Sequence, residues 1–200
     1  MAGSPRVISI AGRSGSGKST LAKALVQALG PDQAARVPAD HYLMDLDHAA
    51  PTTGASFRWD WARLSSDLLA PEGTVVETPD FDFKLLRRCT ARGGMTFTRR
   101  PVLIVDAMMP FPGADIVCWL AVPAAERLRR VRERDRRWGS RIADRWDAQE
   151  AASPAEPPPG VSVMVDGTRT IEVIVADLVG LIGAGTGVGR AGPDSPHDSP

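Results

Sequence analysis

Cysteine is scarce, with two residues in 200, Cys89 and Cys118. They have no metal-ligand spacing and are too few for a disulfide framework. Both therefore read as packed free thiols in a reducing compartment. Net charge is lacking as well: 24 Lys and Arg balance 24 Asp and Glu. No overall field draws the chain toward nucleic acid or an anionic membrane, and neither is expected as a partner. No apolar run is long enough to span a bilayer; the most apolar late stretch, Ile171 to Gly183, is short and carries Glu172 and Asp177. The first residues lack the charged and apolar regions of a secretory signal, and no internal repeat is present. The expectation is a cytoplasmic protein with one domain over residues 1–182. Residues 183–200 hold almost nothing to bury and read as a disordered Gly- and Pro-rich tail.

What is present is concentrated near the start. Gly12-Arg13-Ser14-Gly15-Ser16-Gly17-Lys18-Ser19-Thr20 matches the phosphate-binding pattern G-x-x-x-x-G-K-[ST] in full. The apolar run Val7 to Ala11 predicts a buried parallel strand before it. Leu21, Ala24, Leu25, Ala28 and Leu29 predict a helix after it, stopped by Gly30-Pro31. Gly12, Gly15 and Gly17 allow the backbone N–H groups to converge on an anion at the positive end of that helix. Lys18 then reaches the β- and γ-phosphates of ATP, and the Ser19 hydroxyl ligates Mg²⁺.

Further along, Ala34 to Ala39 predicts a second strand delivering Asp40, His41 and Tyr42 to its carboxyl end, where open α/β sheets bind ligands. Asp40 fits either site chemistry or a simple turn cap. Residues 43–57 read as loop, Trp61 to Leu69 as a helix, Thr74 to Thr78 as a strand, and Met95 to Thr98 as a short edge strand. Pro79 to Phe83 and a basic turn through Arg87 and Arg88 lie between these last two. Val102 to Asp106 is an apolar strand closed by a carboxylate, the form of the acid that holds Mg²⁺. Ile116 to Val122 predicts another buried strand, and a helix follows from Pro123. That helix carries an apolar stripe of Leu128, Val131, Trp138 and Ile142 beside an arginine stripe of Arg127, Arg130, Arg134, Arg137 and Arg141. The arginines form either a solvated basic face or a lid over ATP phosphates. A stiff linker over residues 153–160, a strand over 161–167 and a helix over 171–182 complete the pattern. Strands alternating with helices predict an α/β three-layer fold with a mostly parallel central sheet.

The phosphate loop, the Asp40-His41-Tyr42 strand end, Arg58-Trp59-Asp60-Trp61, Pro79 to Phe83, the Val102–Asp106 strand and the arginine-rich helix stand in a telling order. In that order the chain resembles the uridine kinase and phosphoribulokinase branch of P-loop kinases. It is most similar to short bacterial uridine-kinase-like proteins with a late Trp-x-x-x-Glu, here Trp146 to Glu150. The resemblance implies transfer of a phosphoryl group from MgATP to an alcohol, most directly a nucleoside 5′-hydroxyl. It makes Asp40 the general base and Asp60 the sugar-binding acid, the latter equally readable as a surface Asp. Tyr42, Phe81 and Arg88 join them as acceptor candidates. Lys18, Arg130 and Arg134 are the catalytic cations, Arg137 a further nucleotide contact, and Ser19 with Asp106 the metal ligands. Phe81-Asp82-Phe83 replaces the family's Tyr-Asp-Phe, Leu86 replaces a histidine, and Asp106-Ala107 replaces Glu-Gly. Each departure weakens polar recognition of a pyrimidine. Another hydroxylated acceptor (a sugar, a cofactor precursor, an antibiotic intermediate) and a non-enzymatic ATP-dependent switch are the alternatives. A homo-oligomer is compatible with all of them.

Overall fold

The computed structural model describes residues 4–45, 59–82, 87–89, 94–139, 143–152 and 156–184. In chain order the elements are β1 (Arg6–Ala11), α1 (Lys18–Leu29), β2 (Ala34–Pro38), α2 (Trp61–Leu68), β3 (Val75–Glu77), β4 (Asp80–Asp82), β5 (Arg87–Cys89), β6 (Thr96–Thr98), β7 (Val102–Ala107), β8 (Ile116–Ala121), α3 (Ala124–Trp138), α4 (Trp146–Ala152), β9 (Val163–Asp166) and α5 (Ile171–Ala184). A short 3-10 turn over Ala39–Tyr42 follows β2.

Five strands form one parallel sheet in the order β2-β7-β1-β8-β9. Because side chains alternate along a strand, the sheet separates two apolar cores. On one face Ile8, Ile10, Ile104, Cys118 and Leu120 pack under α1 and α5, with Leu21 and Leu25 above them and Ile174, Leu178 and Ile182 at i, i+4, i+8. On the other, Val7, Val37, Leu103 and Val105 pack against Leu64 and Leu68 of α2, with Tyr42, Trp59, Phe81, Phe97 and Phe111.

The sheet agrees with the mostly parallel α/β expectation. The short strands depart from it. Thr96–Thr98 is not an edge of the main sheet: β3 and β6 form their own antiparallel ribbon, and β4 and β5 another. Three residues each are too few to extend a central sheet, and the two ribbons instead complete the second core with Val76, Phe81 and Phe97. The long helix is also shorter than its stripes suggested. Gly139, at φ 65°, adopts the left-handed conformation that ends α3 at Trp138. Arg141 and Ile142 lie outside the described residues, as do most of the 43–57 loop, Arg58, Phe83 and Leu86, the first part of the linker, and the tail beyond Ala184.

Candidate active site

Parallel register assembles the site. Asp106, next to last in β7, stands opposite Ile10 of β1 on one side and Pro38 of β2 on the other. The loop leaving β1 and the turn leaving β2 therefore flank the same carboxylate. The phosphate loop closes through Ser16 N–H donating to the Arg13 carbonyl at 3.2 Å, and Gly17, at φ 101°, caps α1 so that Lys18 is its first residue. Gly15, at φ 76°, admits no side chain, because a Cβ there would lie 2.5 Å from the Arg127 carbonyl oxygen of α3.

Lys18 Nζ donates to the Arg13 carbonyl at 3.1 Å, and burial lowers its pKa against the opposing pull of Asp40 and Asp106. Ser19 Oγ donates to Asp106 Oδ2 at 2.7 Å. Asp40 has the most displaced carboxyl in the site: desolvation pushes it up to about 6, while Lys18, Arg36 and a hydrogen bond from Trp59 pull it down. Trp59 is itself held by stacking on Trp61, with centroids 5.2 Å apart, and by an antiparallel bridge to Leu43.

A cavity of about 400 Å³ lies between the loop and α3, lined by Lys18, Ser19, Lys23, Arg130, Arg134 and Arg137 among others. Arg130 donates to the Ser16 carbonyl at 3.2 Å and to Glu126 at 2.8 Å. Arg137 is largely exposed and pairs loosely with Glu133. Arg134 has no ion-pair partner among the described residues. A second cavity opens beside Arg13 and Arg127 at the carboxyl ends of β8 and β9.

The structure tests whether a nucleotide with its metal fits here. The Ser16 hydroxyl is buried with no hydrogen-bond partner among the described residues, as a phosphate acceptor site would leave it. No group of three or more His, Cys, Asp or Glu forms a metal cage among them. Ser19 and Asp106 together supply one hydroxyl and one carboxylate, which suits Mg²⁺ that keeps waters and takes phosphate oxygens as its other ligands. The residues fit.

The acceptor candidates fall differently. Tyr42 is fully buried and its hydroxyl donates to Asp67 Oδ2 at 2.8 Å; Phe81 is also in the core. Both pack in the core beside α2 and the ribbons. Asp60 caps α2 by accepting from Arg63 N–H at 3.0 Å, and its other oxygen accepts from Arg88 Nη2 at 2.9 Å. Asp60 and Arg88 thus hold each other, and Arg88 also donates to the Leu43 carbonyl, bracing the Asp40 turn from behind. Tyr42→Phe is expected to lower unfolding free energy by about 1 kcal/mol in urea titrations while leaving any acceptor KM unchanged.

Three contributions went unassigned in the sequence. Arg127, counted there among the lid arginines, is buried: it makes a bidentate pair with Glu150 at 2.6 and 2.7 Å and lies over the Trp146 ring at 5.2 Å. Arg13 joins the same carboxylate at 3.3 Å, so the Trp-x-x-x-Glu segment latches α4 onto the phosphate loop. Trp59 figured only within the Arg58–Trp61 segment, and Arg36 was assigned no role. Glu150→Ala leaves the buried Arg127 guanidinium unpaired and is expected to destabilise by about 2 kcal/mol at pH 7. Arg127 holds the Glu150 carboxyl below its ordinary value of 4.5. Its stabilisation is therefore present above that pH and lost as pH falls through the depressed Glu150 value, where the denaturation of the two proteins should converge.

No family model matches the chain. Among curated relatives, the uridine kinase of Chloroflexus aggregans is 31% identical over 118 residues, 54% of this chain and 54% of that one. The chain spans about half the length of the curated relatives it matches. Among solved structures, one described as a fructose transport system kinase from Silicibacter sp. TM1040 superposes with a TM-score of 0.58 at 23% identity, covering 82% of this chain and 91% of that chain. The fold is that of the P-loop kinases. A structure described as a uridine kinase from Bacillus stearothermophilus shares this kinase fold at a TM-score of 0.52 and 19% identity, over 83% and 91% of the two chains. The resemblance to uridine kinases seen in the motifs is thus present in both sequence and fold. Among the described residues of this P-loop kinase fold, no helix is long and apolar enough to cross a membrane.

Proposed function

We propose that this chain is an ATP-dependent small-molecule kinase, transferring the γ-phosphoryl group of MgATP to an alcohol, most directly the 5′-hydroxyl of a uridine- or cytidine-like nucleoside. The observation that carries this reading is the convergence of Lys18, Ser19, Asp106 and Asp40 at the carboxyl ends of three adjacent parallel strands. Backbone N–H groups of residues 12–20 and Lys18 bind the triphosphate, and the second cavity beside Arg13 offers room for its base. Ser19 and Asp106 would hold Mg²⁺, which would supply positive charge against the phosphates. Asp40 orients the acceptor hydroxyl and takes its proton; a carboxyl raised to about 6 is a better base than an ordinary aspartate. Arg134, without an ion-pair partner among the described residues and lining the phosphate cavity, is the arginine best placed to stabilise the transferring group, with Arg130 and Arg137 beside it.

A second acceptor class, a sugar or another polyol, is favoured by one finding. Tyr42 and Phe81 are packed away and Asp60 is held by Arg88, so fewer polar groups remain to read a pyrimidine than the motifs implied. Incubation with MgATP and a panel of nucleosides, sugars and cofactor precursors, followed by mass spectrometry, separates the two. Phosphorylated uridine or cytidine supports the first, and phosphate on a non-nucleoside alone supports the second. Retained ATP binding with no product across the panel overturns the kinase reading in favour of a nucleotide switch.

A further inference from the structure

Asp106 is 4% exposed, and all of its described partners are on this chain. Oδ1 accepts from Arg36 Nε at 2.8 Å, and Oδ2 accepts from Arg36 Nη2 at 2.9 Å and from Ser19 Oγ at 2.7 Å. The guanidinium meets the carboxylate fork to fork, the most directional form of such a pair. Arg36 comes from β2, the edge strand of the main sheet, where its neighbours Ala34, Ala35, Val37 and Pro38 are small or apolar. Its side chain is only 19% exposed, turned inward toward β7 instead of outward to water. Around the two carboxylates, Lys18 and Arg36 stand against Asp40 and Asp106.

We propose that Arg36 is a built-in counter-cation of the metal-site acid. It holds the Asp106 carboxylate aligned with Ser19 while no metal is present, and it shares that carboxylate with the divalent cation that arrives on the nucleotide. The proposal rests on the reading of Ser19 and Asp106 as the metal side of the site. Arg36 acts through Asp106 and touches no reacting atom, so it is a positioning residue. A merely structural ion pair would stabilise the fold equally with and without metal. A counter-cation is different, because the metal supplies the positive charge that Arg36 otherwise provides. Its loss therefore costs most in the metal-free protein and is offset when metal binds.

The test compares wild type, Arg36→Met and Arg36→Lys. Melting temperatures are measured with ADP in EDTA and with ADP plus Mg²⁺, and Mn²⁺ binding to the ADP complex is followed by electron paramagnetic resonance of the free ion. The expected result is a larger metal-dependent rise in melting temperature for Arg36→Met than for wild type. Its Mn²⁺ half-saturation should fall by about three- to tenfold, with Arg36→Lys in between. Equal metal increments and equal Mn²⁺ half-saturation in all three proteins overturn the proposal, as does weaker Mn²⁺ binding in Arg36→Met. Should Arg36→Met not fold, the Mn²⁺ comparison of Arg36→Lys with wild type decides by the same criterion. Absence of any ADP–metal shift in wild type is a distinct failure: it removes the metal-site reading and the proposal with it.

Discussion

Lys18→Met is expected to lower phosphoryl transfer by about 10³-fold, the largest loss of any single substitution in this site. The reason is positional. Lys18 opens α1, so its ammonium lies where the helix dipole and the loop N–H groups already converge. Before nucleotide binds, the ammonium is occupied by the Arg13 carbonyl, inside the loop itself. A triphosphate would draw it off that carbonyl with little reorganisation, and charge developing in the transition state would meet a cation already in place. Methionine preserves the length and apolar stem of the side chain, so circular dichroism and melting should stay close to wild type. The measurement is single-turnover phosphate transfer together with ATP affinity: transfer falls by the full factor, affinity by about tenfold. Transfer within a few-fold of wild type would remove Lys18 from the mechanism.

Asp40→Asn should abolish transfer almost as completely while sparing nucleotide binding, and its pH behaviour separates a base from a bystander. The Asp40 carboxyl is raised from 3.8 to about 6 by desolvation. Only the ionised form accepts a proton, so wild-type kcat/KM is expected to rise through pH 5 to 7 and then level, and residual transfer in the variant should be flat across that range. Stability runs the other way. A raised folded-state pKa contributes stability that is complete below the unfolded value and is lost as pH rises through about 6. Above pH 7 the Asn variant should therefore be more stable than wild type by about 1 kcal/mol. A variant that lost stability and nucleotide affinity together would instead mark Asp40 as a structural turn residue.

The nucleotide half of this site was legible in the sequence because its parts are contiguous. Residues 12–20 form one uninterrupted segment between a strand and a helix, and Asp106 closes an unmistakable apolar strand. The rule that ligands gather beyond strand ends singled out Asp40, and the structure sets it in the field of Lys18 and Asp106. The acceptor half was less legible. Tyr42 and Phe81 stand in a linear motif, but burial is a tertiary fact, and both pack in the core with α2 and the ribbons. Helical spacing placed Arg127 beside Arg130 and Arg134; only the return of Glu150, 23 residues later, turns it inward. Arg36 gave no signal, since an arginine in a short strand reads as an outward edge residue until the β2–β7 register brings it to Asp106. The two small ribbons were read as strands but not as a unit apart from the main sheet, because pairing partners are not encoded in strand propensity.

The five-stranded sheet that separates the two cores also separates two histories. Ile8, Ile10 and Ile104 pack under α1 and α5; Val7, Leu103 and Val105, one residue away in the same strands, pack against α2 and the ribbons. Substitutions confined to different faces share few partners, so their stability effects should add instead of coupling. A lineage can therefore remodel α2, the ribbons and the Trp59–Trp61 stack without drawing on the packing that holds the phosphate loop. That modularity offers a physical reason why proteins sharing this fold carry names as different as uridine kinase and fructose transport system kinase. On the proposed kinase reading, acceptor choice can be re-evolved in the laboratory from libraries restricted to one face of the sheet.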